Sequence, residues 1–142
     1  MQTIMITGCS SGFGLETARY FLEQGWKVIA TMRAPQEGVL PASDRLRLVR
    51  LDVTSAQSIA EAIAEVGEID VLVNNAGVGM LNALEGAPRE AIANLFATNT
   101  LGTIAMTQAV IPRFRARRSG TIVNITSAVT LQPMPLLAVY TA

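Results

Sequence analysis

Residues 7–14 read Thr7-Gly8-Cys9-Ser10-Ser11-Gly12-Phe13-Gly14 (TGCSSGFG), and they join an apolar run, Thr3 to Thr7, to a segment with helical spacing. In that segment Leu15, Ala18 and Leu22 recur three and four residues apart, and Gly25 stands where such a helix would stop. Glycines between a strand and a helix permit a tight turn and let a ligand approach the main chain. They also leave a helix N-terminus bare, where unpaired N–H groups and the helix dipole suit a pyrophosphate. A phosphate loop of the triphosphatase type needs a lysine after its last glycine, and none follows Gly14. The stretch therefore predicts the first βα unit of a dinucleotide-binding fold.

Working outward, four more apolar runs follow: Trp26 to Met32, Leu46 to Leu51, Ile69 to Asn74 and Thr121 to Thr126. They are near-continuous rather than alternating, as in strands covered on both faces. After the third run, Thr54 and Gln57 offer a capping box, and Ile59, Ala62, Ile63 and Val66 then share one helical face. Pro88 opens a third helix with Ile92, Leu95, Phe96 and Asn99 on one face, and a fourth spans about Thr103 to Arg117. Asn99 is the odd member of that apolar face, since a buried amide needs partners. The alternation predicts a doubly wound α/β fold with a parallel sheet ordered 3-2-1-4-5. A ligand should then sit at the switch point between strands 1 and 4.

The 142 residues fit one domain, and 50% apolar with 15% charged residues excludes disorder. No apolar run reaches the roughly 18 residues that span a membrane, and no signal-peptide pattern opens the chain. A lone cysteine, Cys9, excludes an internal disulfide and fits a reducing, cytoplasmic setting. With no histidine and one cysteine, no metal site is expected. A net charge of zero offers nothing to nucleic acid. Arg113, Arg115, Arg117 and Arg118 read as a solvated helix end opposing the dipole. Lys27 is the only lysine.

The spacing T-G-x-x-x-G-x-G from Thr7 to Gly14 resembles the classical short-chain dehydrogenase/reductase family. So do Asn74-Asn75-Ala76-Gly77 (NNAG) at the end of the fourth strand, Asn99, Ser127 closing IVNITS, and Tyr140 thirteen residues later. The resemblance runs the whole length of the chain. It implies an NAD(P)-dependent oxidoreductase that interconverts a small-molecule alcohol and a ketone or aldehyde. Tyr140 would be the acid/base, Ser127 would hold the substrate oxygen, and Asn99 would support a water-linked proton path. Gly8, Ser10, Ser11, Gly12, Phe13 and Gly14, then Arg33, Asp52, Val53, Asn75, Ala76 and Gly77, would bind the cofactor. The family also implies a homo-oligomer.

A phenol titrates near pH 10, and the family places a lysine four residues after the tyrosine to lower that value. Here the position would be 144, past Ala142, and Lys27 opens the second strand instead. The chain is thus expected to be one Rossmann domain over residues 1–142, incomplete at its C-terminus and part of a longer enzyme. A non-catalytic dinucleotide-binding module is the alternative. An extended-type epimerase or dehydratase is disfavoured by TGCSSGFG together with NNAG.

Members of the family that bind NAD place an acid at the end of the second strand, to bond the adenosine 2′-hydroxyl. Counting from Gly25, that position is Met32, followed by Arg33. An apolar residue removes the repulsion of a 2′-phosphate, and a guanidinium pairs with it bidentately, so NADP is expected over NAD. Asp52 would sit at the adenine amine by resemblance, or cap the following helix, or do both. Val129, Leu131, Pro133 and Met134 read equally as an apolar wall for the substrate or as packing residues.

Overall fold

In the computed structural model, which describes residues 1–132 and 134–142, the apolar runs become five parallel strands. These are β1 (Thr3–Ile6), β2 (Lys27–Met32), β3 (Leu46–Arg50), β4 (Val71–Asn74) and β5 (Thr121–Asn124), in the expected order β3-β2-β1-β4-β5. Met5 in the central strand lies between Ile29 and Leu72. The sheet is flanked by α1 (Gly12–Glu23), α2 (Ala56–Val66), α3 (Arg89–Phe96) and α4 (Thr103–Ala116), and a short α5 (Ala138–Thr141) follows β5.

Period-two geometry sends alternate strand residues into two separate cores. On one face Met5, Ile29, Val49 and Leu72 meet Ile59 and Ile63 of α2 and Met106 and Val110 of α4. On the other, Ile4, Ile6, Val28, Ala30 and Val73 meet Ala18 and Leu22 of α1. No helix joins β2 to β3; Leu40, buried within the connecting loop, packs on the α1-side core instead. Burying each such aliphatic side chain stabilises the fold by about 1.5–3 kcal/mol.

Three local expectations are corrected. Ser55, not Thr54, caps α2: its Oγ accepts from the Ser58 N–H at 3.2 Å. Asp52 has already claimed Thr54, whose N–H and hydroxyl donate to Oδ1 at 2.9 and 2.7 Å, so the helix begins one residue later. Gln57 donates along the helix to Glu61 at 2.8 Å.

The third helix does not run through Asn99. It begins at Arg89 after Pro88, its N-cap, and Ala97–Gly102 form a π-helical turn between α3 and α4. The turn holds Asn99 against main-chain groups of another loop, a demand that regular α spacing does not meet.

Nor are all four arginines simply solvated. Arg113 donates to the carbonyls of Ile63 and Gly67 at 2.9 and 2.7 Å, serving the unpaired C-terminal end of α2. Arg117 donates to the carbonyls of Ile69 and Ser119 and lies 3.5 Å from the Asp70 carboxylate. Arg115 and Arg118 are exposed, as expected. Among the described residues no helix is long and apolar enough to cross a membrane.

Candidate active site

The turn from β1 into α1 is pressed against the segment that follows β4. A Cβ on Gly14 would collide with the Gly8 carbonyl oxygen and Asn75 Nδ2, so packing alone demands glycine there. Asn75 Nδ2 donates to the carbonyls of Thr7 and Gly8 at 2.8 and 3.2 Å. The buried Thr7 hydroxyl accepts from the N–H groups of Asn75 and Ala76 at 3.0 and 2.9 Å and donates to the Val73 carbonyl. Thr7 ties the glycine loop to NNAG; the sequence marks it as the end of the first apolar run and the first residue of T-G-x-x-x-G-x-G, without this bonding role. Its signal was present: a hydroxyl residue at the last strand position, directly before the glycine turn.

Gly12 differs from Gly14. A side chain there would meet no protein atom within 4 Å, yet its φ is 60°. The left-handed backbone requires the glycine, and the open surface leaves the main chain approachable. Ser11, the N-cap of α1, makes no side-chain capping bond, so no cap side chain claims the first-turn N–H groups. Ser10, Ser11 and Phe13 are exposed beside them. These features fit the pyrophosphate of a dinucleotide.

Two cavities flank NNAG on the carboxyl edge of the sheet. The smaller, about 210 Å³, is lined by Gly8 and Ser10 and, towards the ends of β2 and β3, by Met32, Arg33, Asp52 and Val53. Met32 is buried beneath its mouth, and Arg33 is exposed at the rim. The bonds from the Thr54 hydroxyl and N–H hold the Asp52 carboxyl below the usual carboxylate range, and Arg33 and Arg50 add to the effect. The Asp52 N–H donates to Ser58 Oγ at 2.9 Å. Asp52 thus both lines the cavity and shapes the entry to α2.

The larger cavity, about 540 Å³, brings together all three candidate catalytic residues, Asn99, Ser127 and Tyr140, with Phe13 and Asn75. Ala76, Gly77 and Val78 line both cavities, so NNAG and the residue after it form the wall between them. Ser127 accepts a long bond from the Val129 N–H, 3.4 Å, which leaves its O–H to donate. Tyr140 sits half-buried on α5 and makes no hydrogen bond among the described residues. The Asn99 amide clamps Val78: Nδ2 donates to the Val78 carbonyl at 2.8 Å and Oδ1 accepts from the Val78 N–H at 2.9 Å. Val78 was missed from sequence, because nothing in its own type marks it.

The apolar wall lies differently from expectation. Neither Val129 nor the exposed Leu131 lines the larger cavity, and Pro133 lies outside the described residues. Met134 lines a separate open groove with Pro135, Leu136 and Ala138, which shares Thr141 and Ala142 with the Tyr140 cavity. A further cavity of about 500 Å³, between Ile63, Ile69, Val110 and Phe114, opens at the opposite edge of the sheet, away from every candidate residue.

The sequence profile of the short chain dehydrogenase family matches residues 2–142. The chain belongs to the short-chain dehydrogenase family. Bovine (Bos taurus) retinol dehydrogenase 8 is 40% identical over 153 residues, covering 99% of this chain and 49% of that protein. The 3-ketodihydrosphingosine reductase of Bacteroides thetaiotaomicron is 41% identical over 145 residues, covering 99% and 52%. Among solved structures, the closed form of a serine dehydrogenase complexed with NADP+ superposes with a TM-score of 0.91 at 34% identity, covering 99% of this chain and 60% of that one. The chain spans about half the length of the curated relatives it matches.

Proposed function

We propose that the protein is an NADP-dependent short-chain oxidoreductase that interconverts an alcohol and a ketone or aldehyde. One observation carries the reading: Asn99, Ser127 and Tyr140 line a single cavity that shares the NNAG wall with a glycine loop built for a pyrophosphate. In this reading residues 1–142 are the dinucleotide-binding part of the enzyme. The Gly8–Gly14 loop would hold the pyrophosphate, Arg33 the 2′-phosphate, and Asp52 and Val53 the adenine. When bound, the nicotinamide cofactor supplies or accepts the hydride at the carbonyl carbon.

The chain's own residues handle the proton. The Ser127 hydroxyl donates to the substrate oxygen and fixes its direction. The Tyr140 hydroxyl gives a proton to that oxygen in reduction and takes one back in oxidation, a role worth roughly 10²–10⁴ in rate. Asn99 keeps Val78, and with it the wall between the two sides, in place, and from that position would support a water-linked proton path.

The substrate we propose has a long or broad apolar body. The Met134–Leu136 groove shares Thr141 and Ala142 with the Tyr140 cavity, and Met134 and Leu136 are exposed along it. The two relatives described above are named for retinol and 3-ketodihydrosphingosine, both largely apolar molecules.

The test is a turnover assay of the intact protein with NADPH and NADH against short-chain and long-chain ketones and aldehydes. We expect NADPH-dependent reduction that improves with apolar length, and a loss of about 100-fold or more in kcat for Tyr140→Phe with cofactor affinity unchanged. Tight cofactor binding without turnover on any carbonyl would instead identify a non-catalytic dinucleotide-binding module.

A further inference from the structure

We infer that Gly102 is a positioning residue that sets the separation between the two walls of the dinucleotide cleft. The inference rests on the reading that this cleft holds a nicotinamide dinucleotide. Gly102 closes the π-helical turn Ala97–Gly102 and is buried. It continues the buried stripe Leu95, Met106, Val110 and Phe114, where every other member carries a large apolar side chain. Glycine weakens a helix relative to alanine, so its place in that stripe needs a reason.

The reason is Val53. A Cβ built on Gly102 would lie 2.8 Å from Val53 Cγ2, 3.0 Å from its Cβ and 3.1 Å from its carbonyl oxygen. The Cγ2 contact is the shortest, and Val53 Cβ and the carbonyl oxygen, which no rotamer change moves away, stay tight enough that the loop itself must give by a few tenths of an ångström. The Val53 loop is itself held from both sides. The Leu51 N–H donates to the Met32 carbonyl at 2.9 Å, and Asp52 is bonded to Thr54 and Ser58.

Both partners of this contact reach the cleft. Val53 lines the smaller cavity beside Met32, Arg33 and Asp52. From the same π turn as Gly102, Thr98 lines that cavity too, and Asn99 clamps Val78, which lines both. One close approach therefore couples the loop after β3 to the loop after β4. An added methyl must either drive Val53 into the smaller cavity or withdraw the π turn, taking Thr98, Asn99 and Val78 with it. Both displacements spoil the fit of an adenosine moiety.

The test measures binding of NADPH and of adenosine 2′,5′-bisphosphate to the intact protein. The variants are Gly102→Ala, Val53→Ala, their combination, and Val53→Ile. Gly102→Ala is expected to weaken both probes by about tenfold or more, the scale on which small misplacements act. Adding Val53→Ala removes the Cγ2 contact and leaves those of Cβ and the carbonyl oxygen, so it should recover part of that loss, although it removes core packing and lowers the melting temperature further. A merely structural glycine would make the double variant worse than either single one. Val53→Ile, which crowds the same contact without touching the helix, should weaken both probes several-fold, so the inference stays testable if Gly102→Ala does not fold. Unchanged binding in Gly102→Ala, or a double variant no better than it, would overturn the inference and leave the dinucleotide reading standing. A wild-type protein that binds neither probe would remove both.

Discussion

Arg33 and Met32 occupy neighbouring positions and do different work. Met32 is 2% exposed, so it contributes an apolar edge; the exposed Arg33 carries the charge at the rim of the smaller cavity. The cleaner test of cofactor choice is therefore Arg33→Ala alone, since an acid at position 32 would also disturb the core. We expect this change to weaken NADPH binding by about 1–3 kcal/mol, the scale of hydrogen bonds to a charged group, and to leave NADH nearly untouched. Equal losses for the two cofactors, measured by titration, would mean that Arg33 does not read the 2′-phosphate.

Cys9 shows a second residue-scale effect. It lies inside the glycine motif, yet its side chain points into the α1-side core and its S–H donates to the Ile6 carbonyl at 3.3 Å. Burial pushes its thiol up from 9.0 to about 12, with the Thr31 backbone opposing weakly. The raised value means that the folded state keeps its proton where the unfolded chain has lost it. The resulting stability is complete below pH 9.0 and is lost as pH rises towards about 12. Denaturant melts of wild type and Cys9→Ala should diverge across that window, with the wild type losing up to about 1.4 kcal/mol more per pH unit. Parallel curves would show that the thiol ionises with little penalty in the fold.

At the scale of elements, the start of α2 separates two roles that sequence pattern alone merges. Ser55→Ala removes the N-cap and should cost about 0.5–2 kcal/mol in a denaturant melt. Thr54→Val leaves that cap alone but deprives Asp52 of its hydroxyl donor, so the Asp52 carboxyl should titrate higher by NMR. Since Asp52 is held low, its stabilising effect is present above the ordinary carboxylate range and fades as pH falls through it. The variant should therefore lose less stability on acidification than the wild type does. An Asp52 titration identical in both proteins would show that the hydroxyl does not lower it and would assign the shift to the Thr54 N–H and the arginines instead.

These elements also show what can be read from sequence. Strand order and the place of the glycine loop were legible because continuous apolar runs and a strand-to-helix glycine turn have few other physical meanings. The cap was not: Thr54-x-x-Gln57 fits the pattern, and nothing local reveals that Asp52 takes Thr54 first. Nor was the π turn legible. A one-residue widening hides within the average 3.6 period, and Ile92, Leu95, Phe96 and Asn99 fit an uninterrupted helix equally well. Of the site, the motif residues could be named in advance. Val78 and Gly102 could not, and neither could the bonding role of Thr7, because these arise from loops that meet only when the sheet forms.

Across the whole molecule, burial is unequal from strand to strand. Every residue of β2 except Lys27 is buried, whereas β5 has three of its four residues exposed. Within and just past β5, Val123 and Ile125 are 39% and 50% exposed. β5 is also an edge: it pairs with β4 on one side, and its inner register is tied by Asn74, whose Nδ2 donates to Asn124 Oδ1 at 2.9 Å. An edge strand with exposed β-branched residues is a template for pairing with another chain. Against this, β3 at the other edge is guarded by Arg47 and Arg50, both exposed. We therefore expect the 142-residue chain, prepared as such, to associate with rising concentration through β5 and not through β3. Val123→Lys places a charge on the exposed face and should shift light-scattering mass towards the monomer. Because Val123 lines neither cavity, dinucleotide binding should survive the change. A monomeric wild-type chain at all concentrations, or association indifferent to Val123→Lys, would show that the exposed strand is not the sticking surface.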